Sequence, residues 1–137
     1  MIVGVLALQG DFREHIAATI SCGHSALEVR TAADLAKIDA LILPGGESTT
    51  IIHLAQLFDL YAPIKSRIAE GLPVYGSCAG MILLADRIVD GKEVQVLSEA
   101  AGHAVAVRQG NLLATSFHPE LTADMAVHSY FFDEICS

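Results

Sequence analysis

Pro73-Val74-Tyr75-Gly76-Ser77-Cys78-Ala79-Gly80-Met81 is a short apolar run that enters a turn of small residues and leaves it with helical composition. Strand, tight turn and helix in that order are the grammar of an α/β domain built on a parallel sheet. The turn itself, Gly76-Ser77-Cys78-Ala79-Gly80, is a G-x-C-x-G form of the nucleophile elbow, whose small residues permit a strained bend that presents the central side chain. A thiol at the start of a helix is favoured as thiolate, because unsatisfied N–H groups and the helix dipole stabilise negative charge. Cys78 therefore has two readings, a nucleophile or a small buried cysteine in a tight turn.

The same grammar repeats on the N-terminal side. Residues 2–8 are a strand candidate, and Asp11 is placed to cap a helix with the apolar stripe Phe12, Ile16 and Ile20, ending near Cys22-Gly23. Residues 26–30 and 39–43 follow as strands, the second stopping at Pro44-Gly45-Gly46. Ser48 or Thr49 is expected to cap a helix that turns Ile51, Leu54, Ala55 and Phe58 inward. After Asp90-Gly91-Lys92 the rhythm changes to closely spaced strands at 94–97, 103–108 and 112–115, the last two joined at Gln109-Gly110-Asn111, with a final helix over 123–135. No repeat or linker interrupts the chain, so residues 1–137 are expected to form one domain with a discontinuity near residue 92.

A chain of 137 residues and 14.5 kDa can bury roughly two-thirds of the surface its unfolded form exposes. With 53% hydrophobic and 18% charged residues and mean hydropathy +0.49, it is not a disordered chain. No apolar run approaches the roughly 18 residues that a membrane span requires. Sixteen acidic against eight basic residues give a net charge of −8, a field that repels nucleic acid and anionic lipid, so neither is an expected partner. The N-terminus lacks a basic region and reads as a buried strand rather than a secretory signal, which implies a cytoplasmic location. Cys22, Cys78 and Cys136 are odd in number and widely spaced, fitting neither a disulfide framework nor a CxxC metal site.

In open parallel sheets functional groups gather at the carboxyl ends of strands, here the turns after Leu8, Leu43, Tyr75 and Thr115. Ser116-Phe117-His118-Pro119-Glu120 places a carboxylate two residues from a histidine, where it can reach the far ring nitrogen and fix the tautomer. With Cys78 this makes a Cys, His, Glu triad; the plainer alternative is a histidine beside a proline turn with a solvated glutamate. Gly45-Gly46 can turn backbone N–H groups toward a developing oxyanion, or can serve only chain reversal or, less well given Glu47, phosphate binding. His15, His24, His53, His103 and His128 show no metal-binding spacing and read as surface or core residues, so no metal is expected.

Four segments in order carry a more specific message: Leu6-Ala7-Leu8-Gln9-Gly10 with Glu14-His15; Leu43-Pro44-Gly45-Gly46-Glu47-Ser48-Thr49; Gly76-Ser77-Cys78-Ala79-Gly80-Met81; and Ser116-Phe117-His118-Pro119-Glu120-Leu121. Together they resemble the glutaminase subunit of pyridoxal 5′-phosphate synthase, the PdxT family of class I glutamine amidotransferases. The resemblance implies a three-layer, flavodoxin-like open sheet, mostly parallel, with helices on both faces. It implies Cys78 as nucleophile, His118 as acid and base, Glu120 as orienting carboxylate, Gly46 and Ala79 as oxyanion donors, and Gly45, Gly46, Glu47 and Ser48 at bound L-glutamine. The implied partner is a synthase subunit that takes up ammonia within a large hetero-oligomer, with Gln9, Gly10, Arg13 and Glu14 as docking surface and no cofactor for the hydrolysis. Family members carry an extra block of roughly fifty residues where this chain runs Gly91-Lys92-Glu93-Val94, enough for several strands. That block normally includes an arginine that helps to seat glutamine. Two further readings are an inactive or regulatory binding module of the same fold, and a PfpI-like elbow-cysteine protein, against which His118-Pro119-Glu120 weighs.

Overall fold

The computed structural model describes residues 1–78, 80 and 94–137. Strands and helices alternate through β1 (Ile2–Leu6), α1 (Phe12–Ser21), β2 (Ser25–Val29), α2 (Ala32–Leu35), β3 (Ala40–Leu43), α3 (Ser48–Leu57), α4 (Tyr61–Ala69) and β4 (Val74–Ser77). The remainder supplies β5 (Gln95–Ala100), β6 (His103–Gln109), β7 (Leu112–Thr115), a 3-10 turn (Pro119–Leu121), α5 (Ala126–Tyr130) and a π-helical turn (Phe131–Ile135). The seven strands of the described residues form one sheet in the order β2-β1-β3-β4-β7-β6-β5. The first five positions are parallel, and β6 and β5 add antiparallel to that edge. This is the expected mostly parallel α/β architecture.

Alternation along β3 shows why the sheet is covered on both sides. Leu41 and Leu43 join a core with Ile51, Ala55 and Leu60 from the α3 and α4 side, whereas Ala40 and Ile42 join Phe131, Phe132 and Ile135 from the C-terminal turn. A strand buried on both faces must be apolar throughout, which is what residues 40–43 are. Burying each of Leu41, Ile42 and Leu43 contributes about 1.5–3 kcal/mol.

Three helix readings require correction. Ile20, predicted inward, is exposed; the buried residues of α1 are His15, Ala18 and Thr19, while Phe12 and Ile16 are half-buried. The sheet beneath offers polar partners to that face, so the helix turns its histidine inward rather than its most apolar stripe. In α3, Phe58 is exposed and the chain instead inserts Leu60 after a turn at Asp59, which adopts φ 54. The C-terminal helix is shorter than predicted, beginning at Ala126 and widening into the π-helical turn at Phe131. Edge strand β5 is largely exposed and carries register shifts around Ser98 that disrupt its ladder, a feature that discourages pairing with another chain. Among the described residues no helix is long and apolar enough to cross a membrane.

Candidate active site

β4 and β7 lie side by side with Ser77 level with Thr115. One residue beyond, Cys78 has φ 48, a left-handed conformation that costs a non-glycine residue energy. Its N–H donates to the Thr115 carbonyl at 2.7 Å, which pins the bend to the neighbouring strand. The strained elbow read from Gly76-Ser77-Cys78 is thus present, and the thiol is half-buried at its apex. Gly80, two positions after Cys78, sits against the Leu43 backbone, with a Cβ there overlapping the Leu43 carbonyl oxygen.

His118 follows β7 at the same sheet end. Its Nδ1 lies 2.8 Å from Glu120 Oε1, as the two-residue spacing predicts, leaving Nε2 as the nitrogen for proton exchange. The hydrogen bond to Glu120 and the surrounding negative charge raise the affinity of this ring for a proton. The Glu120 side chain is wholly buried. Burial alone would favour its neutral form, but hydrogen bonds involving His15 and Asp11 hold its carboxyl well below the usual range. Glu120 is therefore a buried carboxylate rather than the solvated one of the plainer alternative.

The Gly45-Gly46 loop packs directly beside this pair. Gly45 is buried, and a Cβ on it would collide with the His118 ring, its Nδ1 being 2.8 Å away. Gly46 is exposed with φ 152, a conformation open to glycine. The loop is interlocked with the turn after β1. Asp11 N–H donates to the Gly45 carbonyl at 3.2 Å, and Glu47 N–H donates to Gln9 Oε1 at 3.0 Å. Gly10, at φ 97, has no room for a side chain against the Gly45 carbonyl.

Glu47, rather than Ser48 or Thr49, caps α3: its carboxylate accepts from Thr49 N–H, Thr50 N–H and the Thr50 hydroxyl. Those bonds, the Thr50 hydroxyl foremost, lower its pKa and keep an acceptor-only group exposed beside Gly46. Ser48 opens α3 and is half-buried. Arg13 and Glu14 are exposed on the first turn of α1, beside half-buried Gln9 and exposed Gly10. Ala79 lies outside the described residues.

Polar residues read from the sequence as a helix cap or as ordinary core positions lie behind His118 and Glu120. Asp11 occupies the N-cap position of α1 but makes no capping bond; its Oδ2 lies 3.1 Å from His118 Nδ1 instead. Burial and the neighbouring Glu120 carboxylate push Asp11 up to about 6. The hydroxyl of Ser77 donates to Glu120 Oε1 at 3.3 Å, and His15 Nε2 lies 3.1 Å from that hydroxyl and 3.4 Å from Glu120 Oε1. His15 Nδ1 in turn meets His128 Nε2 at 3.0 Å. A consistent set of protons places one on Nε2 of each histidine, so that His128 donates to His15 and His15 donates toward Ser77 and Glu120. Of the two histidines' four ring nitrogens, this leaves His128 Nδ1 unpartnered, a bare acceptor, which is cheaper to bury than an unpaired N–H. The i, i+4 spacing of Asp11 and His15, with Ala18 and Thr19 extending their face, was the available signal; it marks a polar stripe rather than a surface.

Asp11, His118 and Glu120 approach within 4.8 Å through their side-chain ligand atoms. A proton on His118 Nδ1 shared with the carboxylates accounts for that proximity.

A profile of the SNO glutamine amidotransferase family matches residues 5–91 and 84–137. The chain belongs to this family. Among curated relatives, the pyridoxal 5′-phosphate synthase subunit PdxT of Streptomyces avermitilis is 42% identical over 188 aligned positions, covering 98% of this chain and 94% of the relative. The PdxT subunit of Kineococcus radiotolerans is 44% identical over 194 positions, covering 97% and 94%. A crystal structure described as a glutamine amidotransferase superposes with TM-score 0.88 at 36% identity, covering 97% of this chain and 98% of its own. Against the 137 residues present here, the alignment of 188 positions leaves roughly fifty without a counterpart, on the scale of several strands. The two profile matches meet at residues 84–91, within the stretch that lies outside the described residues.

Proposed function

We propose that this SNO-family chain hydrolyses L-glutamine to glutamate and ammonia and delivers the ammonia to a pyridoxal 5′-phosphate synthase subunit, with Cys78, His118 and Glu120 as its catalytic triad. The observation that carries the assignment is the 2.8 Å contact of His118 Nδ1 with buried Glu120, formed at the strand end adjoining the strained Cys78 elbow. The Cys78 thiolate adds to the carboxamide carbon, and the tetrahedral oxygen is stabilised by backbone N–H groups of Gly46 and Ala79. As the C–N bond breaks, His118 gives its Nε2 proton to the departing nitrogen and ammonia leaves a γ-glutamyl thioester on Cys78. Water then adds to the thioester while His118 takes one of its protons. Collapse releases glutamate and restores the thiol. Glu120 orients the ring and stabilises its charged form throughout.

Gly45, Gly46, Glu47 and Ser48 form the glutamine-binding edge in this reading, Glu47 offering an anionic acceptor to the substrate amino group. Gln9, Gly10, Arg13 and Glu14 form the docking surface for the synthase subunit in a large hetero-oligomer, and the single domain works in the cytoplasm. Ammonia released to water near neutral pH becomes mostly ammonium, which is no nucleophile, so a docked acceptor is part of the function. With the synthase subunit and glutamine present, Cys78→Ala is expected to abolish glutamate release while the two subunits still copurify. Glutamate formation that persists in the alanine variant removes Cys78 as nucleophile.

A further inference from the structure

The reaction as derived uses one carboxylate on His118, yet the structure places two. His118 Nδ1 faces Glu120 Oε1 at 2.8 Å and Asp11 Oδ2 at 3.1 Å, so a single N–H is divided between two acceptors. The remaining oxygens, Asp11 Oδ1 and Glu120 Oε2, are both buried and without a hydrogen-bond partner. Two buried acceptors without donors are costly, and a proton on one carboxylate, donated to the other, removes the cost.

We propose that Asp11 is a second positioning residue for His118, accepting from the ring when ionised and donating its proton to Glu120 when protonated. The proposal rests on the glutaminase reading for its kinetic consequence but not for its effect on the ring. The groups facing Asp11 are His118 and Glu120 after β7 and His15 one turn along α1; the loop after β3 meets it through Gly45. Glu120 is held as the anion by its neighbours and Asp11 is the member pushed up to about 6, so Asp11 takes the shared proton as pH falls. In the ionised state two negative charges stabilise the imidazolium that forms when Cys78 loses its proton. In the protonated state one remains. The unused N-cap of α1 fits this role: the carboxylate makes no capping bond and faces the ring instead.

Asp11→Asn substitutes a neutral group that can still donate to Glu120, a permanent mimic of the protonated state. With the synthase subunit present, its kcat/KM for glutamine is expected to be about tenfold below wild type near pH 8 and to converge with wild type near pH 5. A constant ratio across that range, or no difference anywhere, overturns the proposal. In the free chain, nitrogen-15 NMR of the His118 ring should show its titration midpoint about one pH unit lower in Asp11→Asn, and an unchanged midpoint overturns it equally. Asp11→Ser, which returns a capping hydroxyl to α1, should reproduce the lowered midpoint without a loss in Tm. This answers the objection that the asparagine variant is merely misfolded. Should Cys78→Ala retain activity, the glutaminase reading fails, while the ring titration still decides the role of Asp11.

Discussion

His118 and His128 have the same side chain, lie near the same end of the sheet and are connected through Glu120, Ser77 and His15, yet their environments drive them in opposite directions. His118 is 35% exposed at the rim, where two carboxylates raise its affinity for a proton. His128 is fully buried against Tyr75 and Phe132, and desolvation, reinforced by the neighbouring His15, depresses it to about 4. The ring at the rim is held ready to carry charge, and the ring beneath is held neutral so that it can donate one hydrogen bond and stay still. Solvent access and the nearest charge, rather than residue type, divide the labour.

The largest test of this division is Glu120→Gln. It neutralises the nearer of the two carboxylates facing His118 while preserving shape, and glutamate formation with the synthase subunit should fall by about 10²- to 10⁴-fold in kcat. A loss under about threefold would show that Glu120 is not what prepares the rim histidine.

A second test addresses His128 through stability. Its folded pKa lies below the ordinary value near 6.5, so the unfolded chain binds the extra proton first; stability is whole above that value and is lost as pH falls toward about 4. The loss should reach about 3 kcal/mol, read from urea unfolding at a series of pH values, and His128→Gln should flatten that dependence. An unchanged slope would place the acid sensitivity elsewhere.

The smallest expected effect sharpens the link between the two rings. His15→Ala leaves Ser77, Glu120 and His128 short of a partner in a dry site, and should destabilise the chain by about 1–3 kcal/mol in chemical unfolding. At a temperature where the variant is folded, its glutaminase activity should fall less than that of Glu120→Gln, because Glu120 still reaches His118.

Much of the fold was legible because its signals are local. Apolar runs ending in Gly-rich turns marked the parallel strands, and the cysteine elbow could be recognised from small residues alone, since only they allow the bend. The pairing of His118 with Glu120 was likewise written in a two-residue spacing. Asp11 and His15 escaped because a residue at a helix start, or a histidine on a helix, takes its meaning from what the sheet presents to it. Asp11 read as a cap, and only the fold brings it to His118, 107 positions away. Ile20 and Phe58 misled for the converse reason: apolar periodicity locates a helix but does not oblige every apolar residue on it to be covered.

The interlock of Gly10 with Gly45, and of Gln9 with Glu47, makes the turn after β1 and the loop after β3 a single mechanical unit made from two distant stretches of chain. Hybrids between relatives that exchange one stretch without the other should separate two surfaces shaped to each other. In this architecture the smallest portable module of the rim is a matched pair, and lineages are free to vary it only by changing both halves together.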